Sequence, residues 1–200
     1  MSLRTFTAEV LRDIETTAAV APSSRYLTRA MVAPLPLARA RCVVEFGPGT
    51  GAMTRALLDA LPEDATLLAF EINPRFRHYL GEHFSDPRLA VIPAGAECVG
   101  QELAARGIRE ISAAISSLGL TSMPEERRHA ILRGLVPFLA PGSAFTQFMY
   151  LHAALVAIQP KARRIRRFNA TRFLRGYFPR VTYKVVWRNL PPAFAFTCHR

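Results

Sequence analysis

The sequence predicts an α/β fold with a mostly parallel sheet that ends in a C-terminal antiparallel hairpin. Three observations carry that expectation. Short apolar, β-rich runs alternate with helical patterns of about 10–15 residues from RCVVEF to SAFTQFMYL, which is the mark of βαβ units. The first run, RCVVEF, ends in the glycine-rich turn GPGTG and passes at once into helical spacing, as in Rossmann-like folds. VTYKVVW and AFAFTCH are separated only by RNLPP, a link too short for a parallel crossover but suited to two antiparallel strands.

Taken in order, residues 2–19 place Leu3, Phe6, Val10, Leu11, Ile14 and Ala18 at steps of three and four, which predicts an N-terminal amphipathic helix. Pro22-Ser23-Ser24 breaks the chain and offers a cap for a second helix in SSRYLTRAMVAPL. APLPLARA is a proline-punctuated connector. RCVVEF (strand), AMTRALLDAL (helix), TLLAFEI (strand), NPRFRHYLGEHF (helix), LAVIPA (strand) and VGQELAARG (helix) follow. ISAAISSLGL predicts strand four, PEERRHAILRGLVPFL a helix and SAFTQFMYL strand five. With no internal repeat or low-complexity tract, residues 1–200 are expected to form one domain, of which 1–33 are N-terminal helices able to act as anchor and lid.

A chain of 200 residues, half of them apolar, can fill one core. No apolar run approaches the roughly 20 residues that span a bilayer. The opening MSLRTFTAEVLRDIE carries acids and lacks a signal-peptide core, so a cytoplasmic location is expected. Cys42, Cys98 and Cys198 are widely spaced and form no CxxC pair, which argues against a zinc site or a disulfide framework. Cys42, inside a predicted strand, reads as a small buried thiol.

The net charge of +11 is unevenly placed. All 15 acids lie at or before Glu126, with 12 arginines, whereas the chain from Arg127 onward has 14 basic residues and no acid. Such asymmetry suits an anionic partner, a membrane surface or a nucleic acid, although an arginine-decorated solvated face would look the same.

The loop Gly47-Pro48-Gly49-Thr50-Gly51 lets a ligand approach the backbone and permits φ values closed to other side chains. With Ala52 it also passes as a dinucleotide pattern. Glu45, at the strand end before the loop, can meet a cationic ligand. Glu71, about 20 residues past the loop, can bind ribose hydroxyls. Some forty residues precede the strand. Together these favour S-adenosylmethionine over nicotinamide cofactors. The alternative for Glu71 is a helix cap, a role Asn73 fills better. No GK[ST] follows the glycines, so a P-loop is excluded.

VVEFGPGTGAMTRALL is similar to the first motif of two families, the bacterial ribosomal-RNA adenine dimethyltransferases and the bacterial phospholipid N-methyltransferases, both class I S-adenosylmethionine-dependent methyltransferases. Adenine methylases carry an Asn-Pro-Pro-Tyr-like clamp after strand four. Here Ser116-Ser117-Leu118-Gly119-Leu120-Thr121-Ser122-Met123-Pro124 lacks both the Asn and the aromatic residue, and resembles the S-G-L-P-L-L-N-x-P segment of the lipid enzymes. TAAVAPSSRYLTRAM resembles that family's entry segment, TQFMY its Q-F-T-Y, and WRNLPPA its N-L-P-P-A turn. The resemblance covers nearly the whole chain.

By position, it implies cofactor binding by Ser23, Ser24, Glu45, Gly47, Gly49, Thr50, Gly51, Glu71, Ile72, Ala96, Glu97, Ser116, Ser117 and Leu118. It further implies methylation of a lipid head-group amine, that of phosphatidylethanolamine or a related amino-lipid such as ornithine lipid. The family's Gly-Asp-Ala after strand three is Ala94-Gly95-Ala96-Glu97 here, so either Glu97 substitutes for the Asp or the backbone alone holds adenine. Ser117 and Gly119 also replace the family's Gly and Pro.

Methyl transfer to an amine mainly needs alignment, and a route for the amine's proton. No acid follows Glu126, so a base from the C-terminal half would be Tyr150, His152 or His199. Tyr150 can instead hold the ammonium by cation–π contact. Its structural alternative is a core aromatic, and His152 reads equally well as a surface or core histidine. His78, His83 and His129 stand on predicted helices without a second ligand at metal spacing, so no metal is expected.

Lys161, Arg163, Arg164, Arg166 and Arg167, then Phe168, Arg172, Phe173, Arg175 and Tyr177, interleave bases with aromatics. This suits an anionic membrane, or RNA gripped by phosphate contact and stacking. The missing base clamp and the N-terminal helix favour the membrane, at the inner face of the cell membrane. A non-catalytic module on the same fold is the reading from a different class.

Overall fold

The computed structural model describes residues 23–151 and 168–200. The amphipathic pattern of 2–19, His152 and the basic run 161–167 lie outside the described residues. The chain runs α1 (Arg25–Val32), β1 (Cys42–Phe46), α2 (Ala52–Ala60), β2 (Thr66–Phe70), α3 (Pro74–His83), β3 (Leu89–Ile92), α4 (Val99–Ala105) and β4 (Ile111–Ser116). It continues through α5 (Glu125–Leu135), β5 (Leu139–Tyr150), α6 (Ala170–Arg175), β6 (Arg180–Val186) and β7 (Ala193–His199).

The seven strands form one sheet in the order β3-β2-β1-β4-β5-β7-β6. The first five are parallel; β7 runs antiparallel to both β5 and β6. The predicted Rossmann-like fold with its terminal hairpin is therefore the observed one. Chain order reverses between β1 and β4, the switch point at which open α/β sheets bind their ligands.

Alternation along β1 sends Val44 and Phe46 to one face and Val43 to the other. Val44 and Phe46 share one buried cluster with Leu68, Phe70, Leu132 and Phe145. Val43 packs with Leu27, Met31, Leu57 and Leu67. With both faces covered, the parallel strands read as continuous apolar runs instead of alternating ones. Cys42 and Cys198 are buried free thiols, and burial pushes their pKa values up to about 11 and about 12.

Helix starts follow their caps. Ser24 Oγ accepts from Leu27 N, Asn73 Oδ1 from Arg75 N, and Asn169 Oδ1 from Arg172 N. Several element ends differ from expectation. The helix predicted through Leu139 stops at Leu135, where a 3-10 turn at Val136–Phe138 takes over, because Pro137 cannot continue the ladder. Strand five then begins early, at Leu139. Strand four ends at Ser116, so Ser117–Leu120 is loop.

A further difference is a helix, α6, that periodicity did not announce. It buries Ala170 and Leu174, and Phe178 just beyond it stacks on Phe145 at 5.7 Å. This corrects the reading of the interleaved aromatics. Phe168, Phe173 and Tyr177 are partly buried against the core, and Tyr177 hydroxyl bonds His129 Nδ1. Only part of each ring is exposed. Arg172 and Arg175 do remain exposed.

Candidate active site

The parallel strands end in register, so their carboxyl ends form one edge. Phe46 lies opposite both Phe70 and Ser116, Phe70 opposite Ile92, and Ser116 opposite Gln147. Backbone bonds extend the ladder past the strands. Gly47 N donates to Phe70 O (3.0 Å), Ser117 N to Phe46 O (2.9 Å) and Glu71 N to Ile92 O (3.0 Å). Nearly every residue assigned to the cofactor thus sits on one rim.

The glycine loop holds three positive φ angles, +69° at Gly47, +55° at Gly49 and +81° at Gly51. At Gly47 a Cβ would meet Leu118 Cδ2 at 2.8 Å, so the glycine lets the loop after β4 close against it. At Gly49 nothing lies within 4 Å of a Cβ, which leaves the backbone open to a ligand.

Glu45 is wholly buried at the root of this loop. Its Oε2 accepts from Thr54 Oγ1 at 2.8 Å, while Oε1 has no partner among the described residues. Burial, with the nearby Glu71 charge adding to it, pushes its pKa up to about 8. An orphaned buried carboxylate oxygen is costly unless a cation or donor arrives to meet it. The ammonium of an amino-acid-bearing cofactor is such a group.

Glu71 is buried immediately after β2. Its Oε1 accepts from Asn73 N (2.9 Å) and its Oε2 from Gly49 N (3.2 Å). Burial raises its pKa, opposed by those backbone donors. Asn73, not Glu71, caps α3, so the carboxylate is directed to the glycine loop. Beside it the apolar side chain of Ile72 is 55% exposed.

Across the rim, Glu97 pairs through Oε2 with Arg127 Nε at 3.0 Å. It also folds back over Gly95, where a Cβ would lie 2.5 Å from its Oε1. Ala96 is buried beneath it. Ser116 Oγ accepts from Leu118 N (3.3 Å), and Ser117 Oγ lies 3.3 Å from Met53 Sδ.

Three positioning residues were missed in the sequence. Buried Gln147 donates from Nε2 to Leu118 O at 2.9 Å, which holds the loop after β4. Arg128, 6% exposed, donates to Leu120 O and Met123 O, both at 2.9 Å, with its guanidinium 4.4 Å from the Phe168 ring centre. Burial lowers its pKa. Asn189 takes the backbone N–H of Ser24 on Oδ1 (3.3 Å) and donates to Pro191 O (2.7 Å). The N-L-P-P-A-like turn and the P-S-S-like entry were both read as motifs, but nothing in either spacing says that they touch.

Tyr150 ends β5 at the same edge, with its ring 5.2 Å from that of Phe148. Burial raises its pKa, which favours the neutral phenol. His199 lies at the far end of β7, opposite Ala144 and not Tyr150, and so leaves the list of candidate bases. Among the described residues no cluster of His, Cys, Asp and Glu could hold a metal. Nor, among them, is any helix long and apolar enough to cross a membrane.

The orphaned Glu45 oxygen, the open Gly49 backbone and the Glu71 carboxylate fit S-adenosylmethionine. No family profile matches the chain. An ornithine lipid N-methyltransferase from Singulisphaera acidiphila is 32% identical over 182 residues, which are 90% of this chain and 87% of that protein. Among solved structures, the Burkholderia thailandensis 1,6-didemethyltoxoflavin-N1-methyltransferase, bound to 1,6-didemethyltoxoflavin and S-adenosylhomocysteine, aligns with a TM-score of 0.64 at 19% identity, covering 98% of this chain and 86% of that one. The Geobacter metallireducens precorrin-6y C5,15-methyltransferase aligns with a TM-score of 0.66 at 12% identity, covering 94% and 97%. At such identities these structures speak to the fold alone. The chain belongs to the family of the ornithine lipid N-methyltransferase, and is an S-adenosylmethionine-dependent N-methyltransferase of the Rossmann-like class.

Proposed function

We propose that the chain methylates the amine of an amino-lipid head group, with ornithine lipid the first candidate and phosphatidylethanolamine the second. The observation that carries this is the match to an ornithine lipid enzyme over nearly the full length of both chains. The loop Ser116–Pro124 supports it, since it offers neither an Asn nor an aromatic side chain to clamp a base.

In this reading Glu45 meets the cofactor's ammonium and Glu71 its ribose hydroxyls. The backbone of Gly47–Gly51 lies along the cofactor, with Thr50 at its turn, and Ile72 covers the adenine face. Ser23 and Ser24 close the site from α1, Ala96 and Glu97 lie at the adenine edge, and Ser116, Ser117 and Leu118 lie beside the reacting centre. Bound S-adenosylmethionine supplies a methyl carbon activated by its sulfonium; the acceptor nitrogen's lone pair forms the new bond as the carbon–sulfur pair returns to sulfur. The protein's own task is to deliver a neutral amine on line and to exclude water. Tyr150 orients the amine by its ring face and hydroxyl, and His152 follows it closely enough in sequence to relay the proton. The lipid is met at an anionic membrane surface, at the inner face of the cell membrane.

The test is methyl transfer from labelled S-adenosylmethionine to ornithine lipid and phosphatidylethanolamine in anionic vesicles, with ribosomal RNA in parallel. Label in an extracted lipid is expected and names the amine. Label in RNA alone would overturn the proposal.

A further inference from the structure

The most exposed large apolar side chains among the described residues stand together on the turn between β6 and β7. Leu190 is 85% exposed and Trp187 68%. This turn is not a remote tip. β7 begins at Ala193, opposite Tyr150, so residues 187–192 project from the same edge of the sheet as the glycine loop and the loop after β4. Leu151 N donates to Pro192 O at 2.8 Å, which fixes the turn to the end of β5. Asn189, 3% exposed, lies beneath it and binds the start of α1 through Ser24 N. A buried polar residue thus braces a turn whose two large apolar side chains face water.

Its surroundings are cationic. Arg188 lies 5.4 Å from the Tyr26 ring centre and Arg25 lies 4.9 Å from the same ring. Arg25, Arg29 and Arg188 are exposed, and none pairs with a carboxylate among the described residues. Lys184 is exposed on β6 nearby. A tryptophan and a leucine ringed by arginines, at the mouth of a site, match the interface of an anionic bilayer. There indole rings settle at head-group level, leucine enters the acyl boundary and arginines pair with lipid phosphates.

We propose that the Trp187–Pro192 turn, with Arg188, Arg25 and Arg29 around it, is the membrane-docking surface that sets the active-site edge against an anionic bilayer. The proposal rests on the lipid-substrate reading above. It assigns the contact to a part of the chain distinct from residues 2–19 and the 161–167 run. The docked turn brings head groups to the edge where Tyr150 ends, so a lipid need not leave the membrane entirely to be methylated.

The chain has a single tryptophan, so Trp187 reports on its own environment. The full-length protein is titrated with vesicles of phosphatidylcholine containing phosphatidylglycerol, and with brominated analogues as quenchers. A blue shift of the emission and quenching by shallow bromines are expected on anionic vesicles, and much less on pure phosphatidylcholine. Leu190→Asp is expected to weaken vesicle binding about tenfold or more, by loss of one leucine side chain from the apolar boundary, with cofactor affinity unchanged. Vesicles bound in sedimentation without a change in emission would overturn the proposal, as would normal vesicle binding by Leu190→Asp. Emission already shifted in buffer would also overturn it, since another segment or a second copy would then cover the turn. Methyl transfer to amino-lipid in detergent micelles separates this from the function reading. Micellar methylation with Trp187 left in water removes the docking surface alone. Trp187 in the bilayer with no lipid methylated removes the substrate assignment alone.

Discussion

A buried carboxylate at the seat of a cation ties binding to a proton, and Glu45 makes that link measurable. One oxygen is held by Thr54 and the other has no partner among the described residues, in a residue with 0% exposure. With its pKa pushed up to about 8, roughly nine in ten unliganded molecules carry the proton at pH 7. In the proposed seating the cofactor's ammonium favours the carboxylate, so binding would expel that proton. Affinity for S-adenosylhomocysteine, which has the same ammonium without the sulfonium, is expected to rise by up to about tenfold per pH unit between pH 6 and 8, then level off. Calorimetric titration in buffers of different ionisation enthalpy should show close to one proton released at pH 7. Glu45→Gln should abolish both the proton release and the slope. The same shift acts on stability. Between its ordinary value of 4.5 and about 8 the folded state holds a proton that the unfolded state has lost. The unliganded protein therefore loses stability as pH rises through that window, and Glu45→Gln removes the dependence. An affinity independent of pH, with no proton released by the unmodified protein, would refute the reasoning.

Glu71→Ala is expected to weaken S-adenosylhomocysteine binding by about tenfold to a hundredfold, the worth of about 1.5–3 kcal/mol for hydrogen bonds to a charged group, in a protein that still folds; a normal affinity would sink the ribose assignment. Gly47→Ala places a Cβ at φ +69° and 2.8 Å from Leu118 Cδ2. It should cost about 1–2 kcal/mol in denaturant unfolding, with loss of cofactor affinity as Leu118 shifts. Asn189→Ala leaves the Ser24 N–H and the Pro191 carbonyl without their partner and should lower the urea midpoint by the equivalent of about 1–3 kcal/mol at unchanged slope.

The fold was legible because its signals are local. Alternating runs, GPGTG between a strand and a helix, and a five-residue link between two β-rich runs each require nothing beyond neighbouring residues. The rim of the site was legible for the same reason, as Glu45, Gly47, Gly49 and Glu71 sit at strand ends or in the adjoining turn. What escaped was every bond between distant segments. Thr54 to Glu45 spans only 9 residues, but Gln147 to Leu118 spans 29 and Ser24 to Asn189 spans 165. Helix α6 escaped because six residues give too little periodicity to read, and its one aromatic, Phe173, packs edge-on against His129.

Gly95 and Glu97 show how a departure in sequence can be a smaller departure in space. The pattern Ala94-Gly95-Ala96 has no carboxylate where the lipid N-methyltransferases carry an aspartate, and in sequence the acid stands two residues late. In the structure that acid returns. The short 3-10 turn Ala96–Cys98 lets the Glu97 chain fold over Gly95, until its carboxylate lies within 2.6 Å of where a Cβ at position 95 would begin. The Glu97 carboxylate fills the space over Gly95, and a side chain at position 95 would displace it. Glycine at 95 and glutamate at 97 therefore act as one unit. Arg127 completes it, because its 3.0 Å contact holds the carboxylate in place against the solvent that its exposure admits. A lone Gly95→Asp would set two carboxylates in one place, whereas the pair Gly95→Asp with Glu97→Ala returns a single acid to the edge proposed for adenine.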